Sequence, residues 1–201
     1  MQIGVPKEIK NNEYRVGLTP SSVRELVALG HVVWVETNAG VGIGFSDADY
    51  QQAGANIAQT AQELFANACL IIKVKEPQLA ECKLLTEKHI LFTYLHLAPD
   101  PKQTEALIAS GCTAIAYETI TDKHGKLPLL FPMSAVAGRM SVQVGAQCLE
   151  KHHGGRGILL GGVVGWFTYR LMRSIDDYDI EVIITLAAVM TGTAIAQKLH
   201  V

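Results

Sequence analysis

Short apolar runs alternate with helix-like segments over residues 1–151, and this alternation constrains the fold more than any other feature. The runs predicted as strands are residues 2–5, 31–36, 69–74, 89–97 and 112–117. The segments predicted as helices are residues 20–29, 47–53, 59–66, 102–110 and 134–151. Helices that alternate with short strands are typical of a parallel sheet. The sequence therefore predicts an α/β fold with a mainly parallel sheet and flanking helices.

The ends of several helices carry recognisable signals. Thr19 and Pro20 suit the start of a helix, because threonine is a good N-cap and proline loses no hydrogen bond in the first turn. Gly30 and Gly111 are suited to end the predicted helices 20–29 and 102–110. Ser46 is suited to cap the start of the predicted helix 47–53. These signals give the predicted helices definite bounds.

Charge and cysteine content exclude some function classes. The chain of 201 residues has a formal net charge of −2 and no basic stripe, so we expect no nucleic-acid partner. Lysines interrupt the N-terminal sequence early, so we expect no signal peptide and a cytoplasmic protein. Cysteines occur at 69, 82, 112 and 148 without clustering, which predicts reduced, mostly buried thiols and no metal site.

A glycine-rich run at residues 39–44 (AGVGIG) follows a predicted strand. A dinucleotide-binding loop has the pattern G-x-G-x-x-G, and here Phe45 occupies the last glycine position. A phosphate-binding loop and an ordinary glycine-rich turn are both open interpretations, and the pattern favours the turn.

Several polar residues stand where a parallel sheet would place a ligand. Arg15, close to Glu13, could bind a carboxylate with two hydrogen bonds, although a surface ion pair is the simpler interpretation. Lys75 ends a predicted strand, at the edge where open α/β sheets bind ligands. Tyr94 and His96 lie two residues apart and hence on one face of a predicted strand. His96 is a candidate acid–base group or a structural histidine.

Six stretches together resemble the alanine dehydrogenase family, in the family's order and over residues 1 to about 162. They are IGVPKEIKNNEYRVGLTP, AGVGIGFSDADYQQAGA, VKEP, LFTYLHLA, FPMSAVAGRMSVQVGAQCLE and GGRGILLGG. The resemblance implies the fold of the N-terminal domain of alanine dehydrogenase and transhydrogenase. The TYLHLA segment is more similar to the dehydrogenase than to the transhydrogenase subunit.

The resemblance also implies roles for individual residues. Arg15 would bind the carboxylate of pyruvate or L-alanine, and Lys75 would contact the substrate oxygens. His96 would be the general acid and base as alanine is oxidised by NAD and water to pyruvate, ammonia and NADH. Tyr94 and Met133 would line the pocket. Ser134 would contact NAD.

The chain departs from the family pattern after Gly162. A family member would continue into an NAD-binding Rossmann domain, which we do not find in the remaining residues. Residues 163–201 instead form an apolar tail that resembles a stretch of bacterial sodium/proton antiporters. We expect this tail to form two helices around a polar turn near residues 174–179. With only fifteen uncharged residues at 182–196, it should associate with a membrane rather than span it.

The sequence thus predicts a truncated or fused alanine dehydrogenase of two parts, residues 1–162 and 163–201. We expect it to be inactive by itself and to bind NAD at most weakly. Members of the family form homo-oligomers, and the resemblance implies the same for this chain. The alternative is a carboxylate-binding or membrane-tethered remnant without enzymatic activity.

Overall fold

The computed structural model describes residues 1–155. The predicted boundary at residue 162, the apolar tail and its polar turn lie outside the described residues. The chain divides into two compact units, the first of residues 1–121 and the second beginning at Asp122. Among residues 1–155, no helix combines the length and the apolar character needed to cross a membrane.

The first unit alternates strands and helices in the predicted manner. Its strands are β1 (Gln2–Val5), β2 (Val32–Glu36), β3 (Asn56–Ala58), β4 (Leu70–Ile72), β5 (Ile90–Thr93) and β6 (Thr113–Ala116). Its helices are α1 (Pro20–Ala28), α2 (Asp47–Gln52), α3 (Ala61–Asn67), α4 (Leu79–Cys82) and α5 (Pro101–Ser110). The described part of the second unit holds α6 (Phe131–Leu149) and a short 3₁₀ turn, Lys151–His153.

All six strands form one sheet in the order β3-β2-β1-β4-β5-β6. Every neighbouring pair is parallel, which confirms the predicted fold class. The strand order reverses direction between β1 and β4, and such a switch point opens a crevice at the carboxyl ends of the strands. The sheet therefore defines in advance where a ligand would bind.

The sheet is buried on both faces by apolar side chains. Ile3 and Val5 of β1 belong to one buried cluster, which includes Val23 of α1 and Tyr50 of α2. The second cluster includes residues of α3, β4, β5 and α5. Gly4 lies against this second cluster, since a Cβ there would stand 2.8 Å from Ala68 Cβ. Such double burial accounts for the nearly continuous apolar runs of these strands.

The predicted helix ends are largely confirmed. Ser46 forms a capping box with Asp49 at the start of α2. Gly111 ends α5 in the left-handed conformation, and Gly30 follows α1 with a φ of +83°. Thr19 occupies the N-cap position of α1, but its hydroxyl contacts the hydroxyls of Ser21 and Ser22 instead of a backbone N–H.

Other predictions need correction. The predicted strand 89–97 ends at Thr93, so Tyr94 and His96 lie beyond β5 and not within it. The backbone N–H groups of Leu95 and His96 bond to the Glu118 carboxylate, which takes them out of the strand ladder. Of the cysteines, all of which are described and unpaired, only Cys82 is buried, and Cys148 is exposed. β3 and α4 were not predicted, because elements of three and four residues are too short to show a periodic pattern of apolar residues in the sequence.

The glycine-rich run folds as a tight turn within the first unit. Residues Val41–Ile43 make one 3₁₀ turn, and Gly44 closes it with a φ of +86°. A Cβ at Gly40 would lie 2.5 Å from the Tyr50 ring, and a Cβ at Gly42 would lie 2.5 Å from the Tyr14 carbonyl oxygen. The glycines permit close approach of protein to protein, as the turn interpretation predicts. The turn thereby buttresses the backbone immediately before Arg15.

A Gly42→Ala substitution tests this buttress. The added methyl group must displace the Tyr14 backbone, so we expect a loss of about 1–3 kcal/mol in the free energy of unfolding. We also expect altered amide resonances at Tyr14 and Arg15. Gly30→Ala is the control, because a Cβ there meets no atom within 4 Å and only the positive φ is strained. Equal perturbation of Arg15 by both variants would refute the buttress.

Candidate functional site

The carboxyl edge of the sheet collects the sequence-predicted site residues of the first unit. Arg15 lies in the loop after β1, Lys75 lies three residues beyond β4, and Tyr94 and His96 directly follow β5. These three strands are neighbours in the sheet. Parallel strands end at a common edge, so the three loops lie side by side.

Arg15 is held by Glu13 in a two-pronged ion pair. The guanidinium donates from Nε to Glu13 Oε1 at 2.8 Å and from Nη2 to Oε2 at 2.6 Å. The Glu13 side chain is 8% exposed, whereas that of Arg15 is 41% exposed. The hydrogen bond lowers the pKa of Glu13 and raises that of Arg15. The predicted ion pair therefore exists, and it fixes the plane of the guanidinium.

Electrostatic and ring contacts link Arg15 to the other candidates. The Lys75 ammonium helps to lower the pKa of Glu13, so both cations act on one carboxylate. Burial raises the pKa of Tyr94, and the positive charge of Arg15 opposes that rise. The rings of Tyr94 and His96 are stacked, with centroids 6.2 Å apart and planes inclined by 24°. Arg15 thus acts electrostatically on Tyr94, whose ring stacks on that of His96.

Glu118, just beyond β6, fixes the backbone that carries His96. Its Oε1 accepts hydrogen bonds from the N–H groups of Leu95, at 3.0 Å, and His96, at 2.9 Å. His96 has a φ of +44°, which is uncommon outside glycine and costs roughly 1–3 kcal/mol. Burial alone would raise the pKa of Glu118, but these hydrogen bonds and the nearby His96 outweigh burial and lower it. A strained, anchored backbone therefore presents the imidazole of His96.

A buried cluster of charges anchors the segment that carries Lys75. Lys73, with a side chain 1% exposed, donates to Glu8 at 3.1 Å and to Glu81 at 2.7 Å. The other oxygen of Glu8 accepts hydrogen bonds from the backbone N–H groups of Val74, at 2.6 Å, and Lys75, at 3.4 Å. Glu8 consequently joins the loop after β1 to the segment after β4.

Side chains at the ends of β5 and β6 also hydrogen-bond to the backbone of residues 73–75. The Tyr117 hydroxyl donates to the Lys73 carbonyl oxygen at 3.0 Å, and the Thr93 hydroxyl donates to the Lys75 carbonyl oxygen at 2.9 Å. Tyr117 packs edge-on against Tyr94, with ring centroids 5.0 Å apart. The same tyrosine thus contacts the Lys73 backbone and the ring that stacks on His96.

Sequence analysis missed Glu8, Lys73, Tyr117 and Glu118. Lys73 did carry a signal, because a lysine inside an apolar run must find partners if the run is buried. Glu118 carries none, since a carboxylate beyond a strand looks like any surface residue. Its role depends on how β6 pairs with β5.

Met133 and Ser134 belong to the second unit. Both lie in the first turn of α6, which begins at Phe131, three residues before the predicted helix start at 134. Their proposed contacts with substrate and NAD stay predictions.

Removing the Glu8 carboxylate should destabilise the protein. In Glu8→Ala, Lys73 keeps a single carboxylate partner, and two backbone N–H groups lose their acceptor. We expect a loss of about 3–5 kcal/mol in urea unfolding, the usual cost of breaking a buried ion pair. Glu25→Ala, at an exposed position on α1, is the control and should change stability by less than about 0.5 kcal/mol. Similar small effects in both variants would contradict the anchoring role of Glu8.

Acidification should release the His96 backbone. The pKa of the Glu118 carboxyl group is lowered from 4.5. The carboxylate therefore keeps its hydrogen bonds at pH 4.5 and above, and loses them as the pH falls through its lowered pKa. We expect the amide resonances of Leu95 and His96 to titrate together with an inflection below 4.5. The Glu118→Gln variant should lack this inflection. An inflection above 4.5, or one that survives in Glu118→Gln, would disprove the assignment.

Comparison with known proteins identifies the domain. Residues 4–137 match the family model described as alanine dehydrogenase/PNT, N-terminal domain. Alanine dehydrogenase of Methanococcus maripaludis is 57% identical over 165 residues, which are 82% of this chain and 44% of that protein. Alanine dehydrogenase of Halomonas elongata is 59% identical over the same shares. The chain thus spans less than half the length of these relatives.

Solved structures agree with this result. An L-alanine dehydrogenase structure superposes with a TM-score of 0.72 at 56% identity, over 80% of this chain and 44% of that one. A transhydrogenase from Sinorhizobium meliloti superposes with a TM-score of 0.59 at 25% identity, over 75% of this chain and 43% of that one. Because the family model and these relatives agree, we conclude that the chain belongs to the alanine dehydrogenase/PNT N-terminal domain family.

Proposed function

We propose that this chain carries the substrate-binding part of an alanine dehydrogenase and binds pyruvate or L-alanine at the carboxyl edge of its sheet. The observation that carries the proposal is the placement of Arg15, Lys75 and His96 in three adjacent loops at that edge. Identity of 57% to a curated alanine dehydrogenase supports the same assignment. It favours this function over the alternative of a carboxylate-binding or membrane-tethered remnant without enzymatic activity.

The chemistry of each group suits its proposed role. The planar guanidinium of Arg15 suits the substrate carboxylate, because its N–H donors match the two oxygens of a carboxylate. The Lys75 ammonium would polarise the carbonyl or imine carbon beside that carboxylate. His96 would deliver a proton to the carbonyl oxygen when ammonia adds, and would accept it in the reverse direction. Tyr94 would exclude water from one side of the substrate.

We propose that the glycine turn of the first unit is not a dinucleotide-binding loop. Gly40 packs against Tyr50 and Gly42 against Tyr14, so these two glycines serve close packing of protein on protein. In the proposed reaction NAD accepts a hydride from alanine. Ser134 is the described residue that would contact NAD.

We therefore propose that the 201 residues, assayed alone, neither oxidise NADH with pyruvate and ammonia nor bind NAD tightly. A dinucleotide normally requires a glycine-rich turn at a helix N-terminus and a carboxylate for its ribose. Turnover by the purified chain would contradict this part of the proposal while leaving the substrate site intact.

For residues 163–201 we propose an origin distinct from the domain before them. The matched length of 165 residues covers 82% of the chain and supports a change of character near this boundary. The antiporter-like tail should bring the chain to the membrane fraction of expressing cells. Recovery of the whole chain as a monomer in the soluble fraction would contradict the proposal.

The substrate site is tested by titrating the labelled full chain with sodium pyruvate. We expect saturable amide shifts at Arg15, Lys75 and His96. Arg15→Ala removes the charged partner of the substrate carboxylate and should weaken binding by about tenfold to a hundredfold, the value of a charged hydrogen-bonded pair. Arg24→Ala, at an exposed arginine of α1, is the control and should bind as the unmodified chain does. Pyruvate binding that is insensitive to Arg15→Ala would disprove the site.

A further inference from the structure

A second cluster of chemically capable side chains lies at the end of α6, outside the proposed substrate site. Glu150 is the last residue before a 3₁₀ turn formed by Lys151–His153. The carboxylate of Glu150 and the imidazoles of His152 and His153 bring three potential metal-ligand atoms within 4.8 Å of one another. We propose that Glu150, His152 and His153 form a binding site for Zn²⁺.

The distances within the cluster fit a small tetrahedral ion. His152 Nε2 lies 3.0 Å and His153 Nδ1 lies 3.5 Å from Glu150 Oε2. Zinc bonds of about 2.0–2.2 Å to nitrogen and oxygen place tetrahedral ligand atoms about 3.3–3.5 Å apart. Two imidazoles and one carboxylate are a donor set that Zn²⁺ favours, with water as the fourth ligand. Small rotations of the two exposed rings bring all three atoms onto one ion.

The backbone already holds the ligands in register. The N–H of His153 and the N–H of Gly155 both donate to the Glu150 carbonyl oxygen, at 3.1 and 3.0 Å. Gly154 closes the turn with a φ of +86°, where a residue with a side chain would be strained. Because the backbone turn is formed in advance, metal binding has to order only the side chains.

A side chain outside the three ligands orients one of them. The far nitrogen of His153, Nε2, lies 3.1 Å from the Gln147 side-chain amide. When Nδ1 binds a metal, Nε2 carries the proton and needs an acceptor, which the amide oxygen supplies after a half-turn of the amide. Such outer contacts fix the ring and its tautomer in metal sites. Gln147 is therefore a positioning residue for the ion.

The histidines do not act as a simple helix cap. The ring nitrogens of His152 and His153 contact the side chains of Glu150 and Gln147. An ion pair between Glu150 and a protonated histidine is the competing interpretation. Both interpretations use the same contacts, and only the metal one predicts stoichiometric binding of a cation.

Calorimetric titration of the metal-free full chain with ZnCl₂ distinguishes them. We expect one saturable site, reversed by a chelator. His152→Ala and His153→Ala should each weaken binding by more than tenfold, and Gln147→Ala by about tenfold. His124→Ala removes an exposed histidine of the same unit that is outside the cluster, so it should bind Zn²⁺ as the unmodified chain does. Unchanged far-ultraviolet circular dichroism will show that each variant is folded.

Three results would overturn the proposal. They are no saturable binding by the unmodified chain, binding that survives both His152→Ala and His153→Ala, and loss of binding in His124→Ala. Histidine ring resonances provide a second readout, because Zn²⁺ should shift those of His152 and His153 and leave that of His96 in place. The outcome is independent of the proposed substrate site, whose residues are not varied.

Discussion

The buried charge cluster of Lys73, Glu8 and Glu81 is the interaction on which the rest of the site depends. A lysine with a side chain 1% exposed is tolerated only because two carboxylates neutralise and hydrogen-bond it. Glu8 comes from the loop after β1, and Glu81 from the first turn of α4. The cluster thus joins the loops after neighbouring strands at the point where the strand order reverses. Glu8 also accepts a hydrogen bond from the backbone N–H of Lys75. The buried ion pair therefore sets the position of Lys75, which we propose contacts the substrate.

The remaining site residues are supported by contacts of the same kind. Glu118 anchors the strained backbone of His96, and Tyr117 connects the Lys73 backbone to the Tyr94 ring. The glycine turn at 40–44 supports the backbone before Arg15 by close packing. Each proposed substrate-binding residue therefore lies in a loop that is held by a partner distant in sequence. Such preorganisation is what a site needs to orient a small keto acid between two cations and an imidazole.

The sequence predicted the fold class well and the site incompletely. Strand and helix periodicity with capping signals predicted the parallel sheet, the Ser46 cap and the Gly111 helix end, because these features are local. The strand 89–97 was predicted too long, since its early end depends on Glu118, a partner twenty-two residues away from His96. Arg15, Lys75 and His96 were found through family resemblance, whereas spacing alone left each with an ordinary interpretation. Glu8 and Glu118 could not be predicted, because their roles follow from strand pairing.

The most direct test of the central claim is a crystal structure of the full chain soaked with pyruvate. We expect the carboxylate of pyruvate to bind the Arg15 guanidinium, beside Glu13. The keto oxygen should lie between the Lys75 ammonium and the His96 imidazole. Pyruvate bound elsewhere, or a soaked crystal in which these three residues contact no ligand, would contradict it.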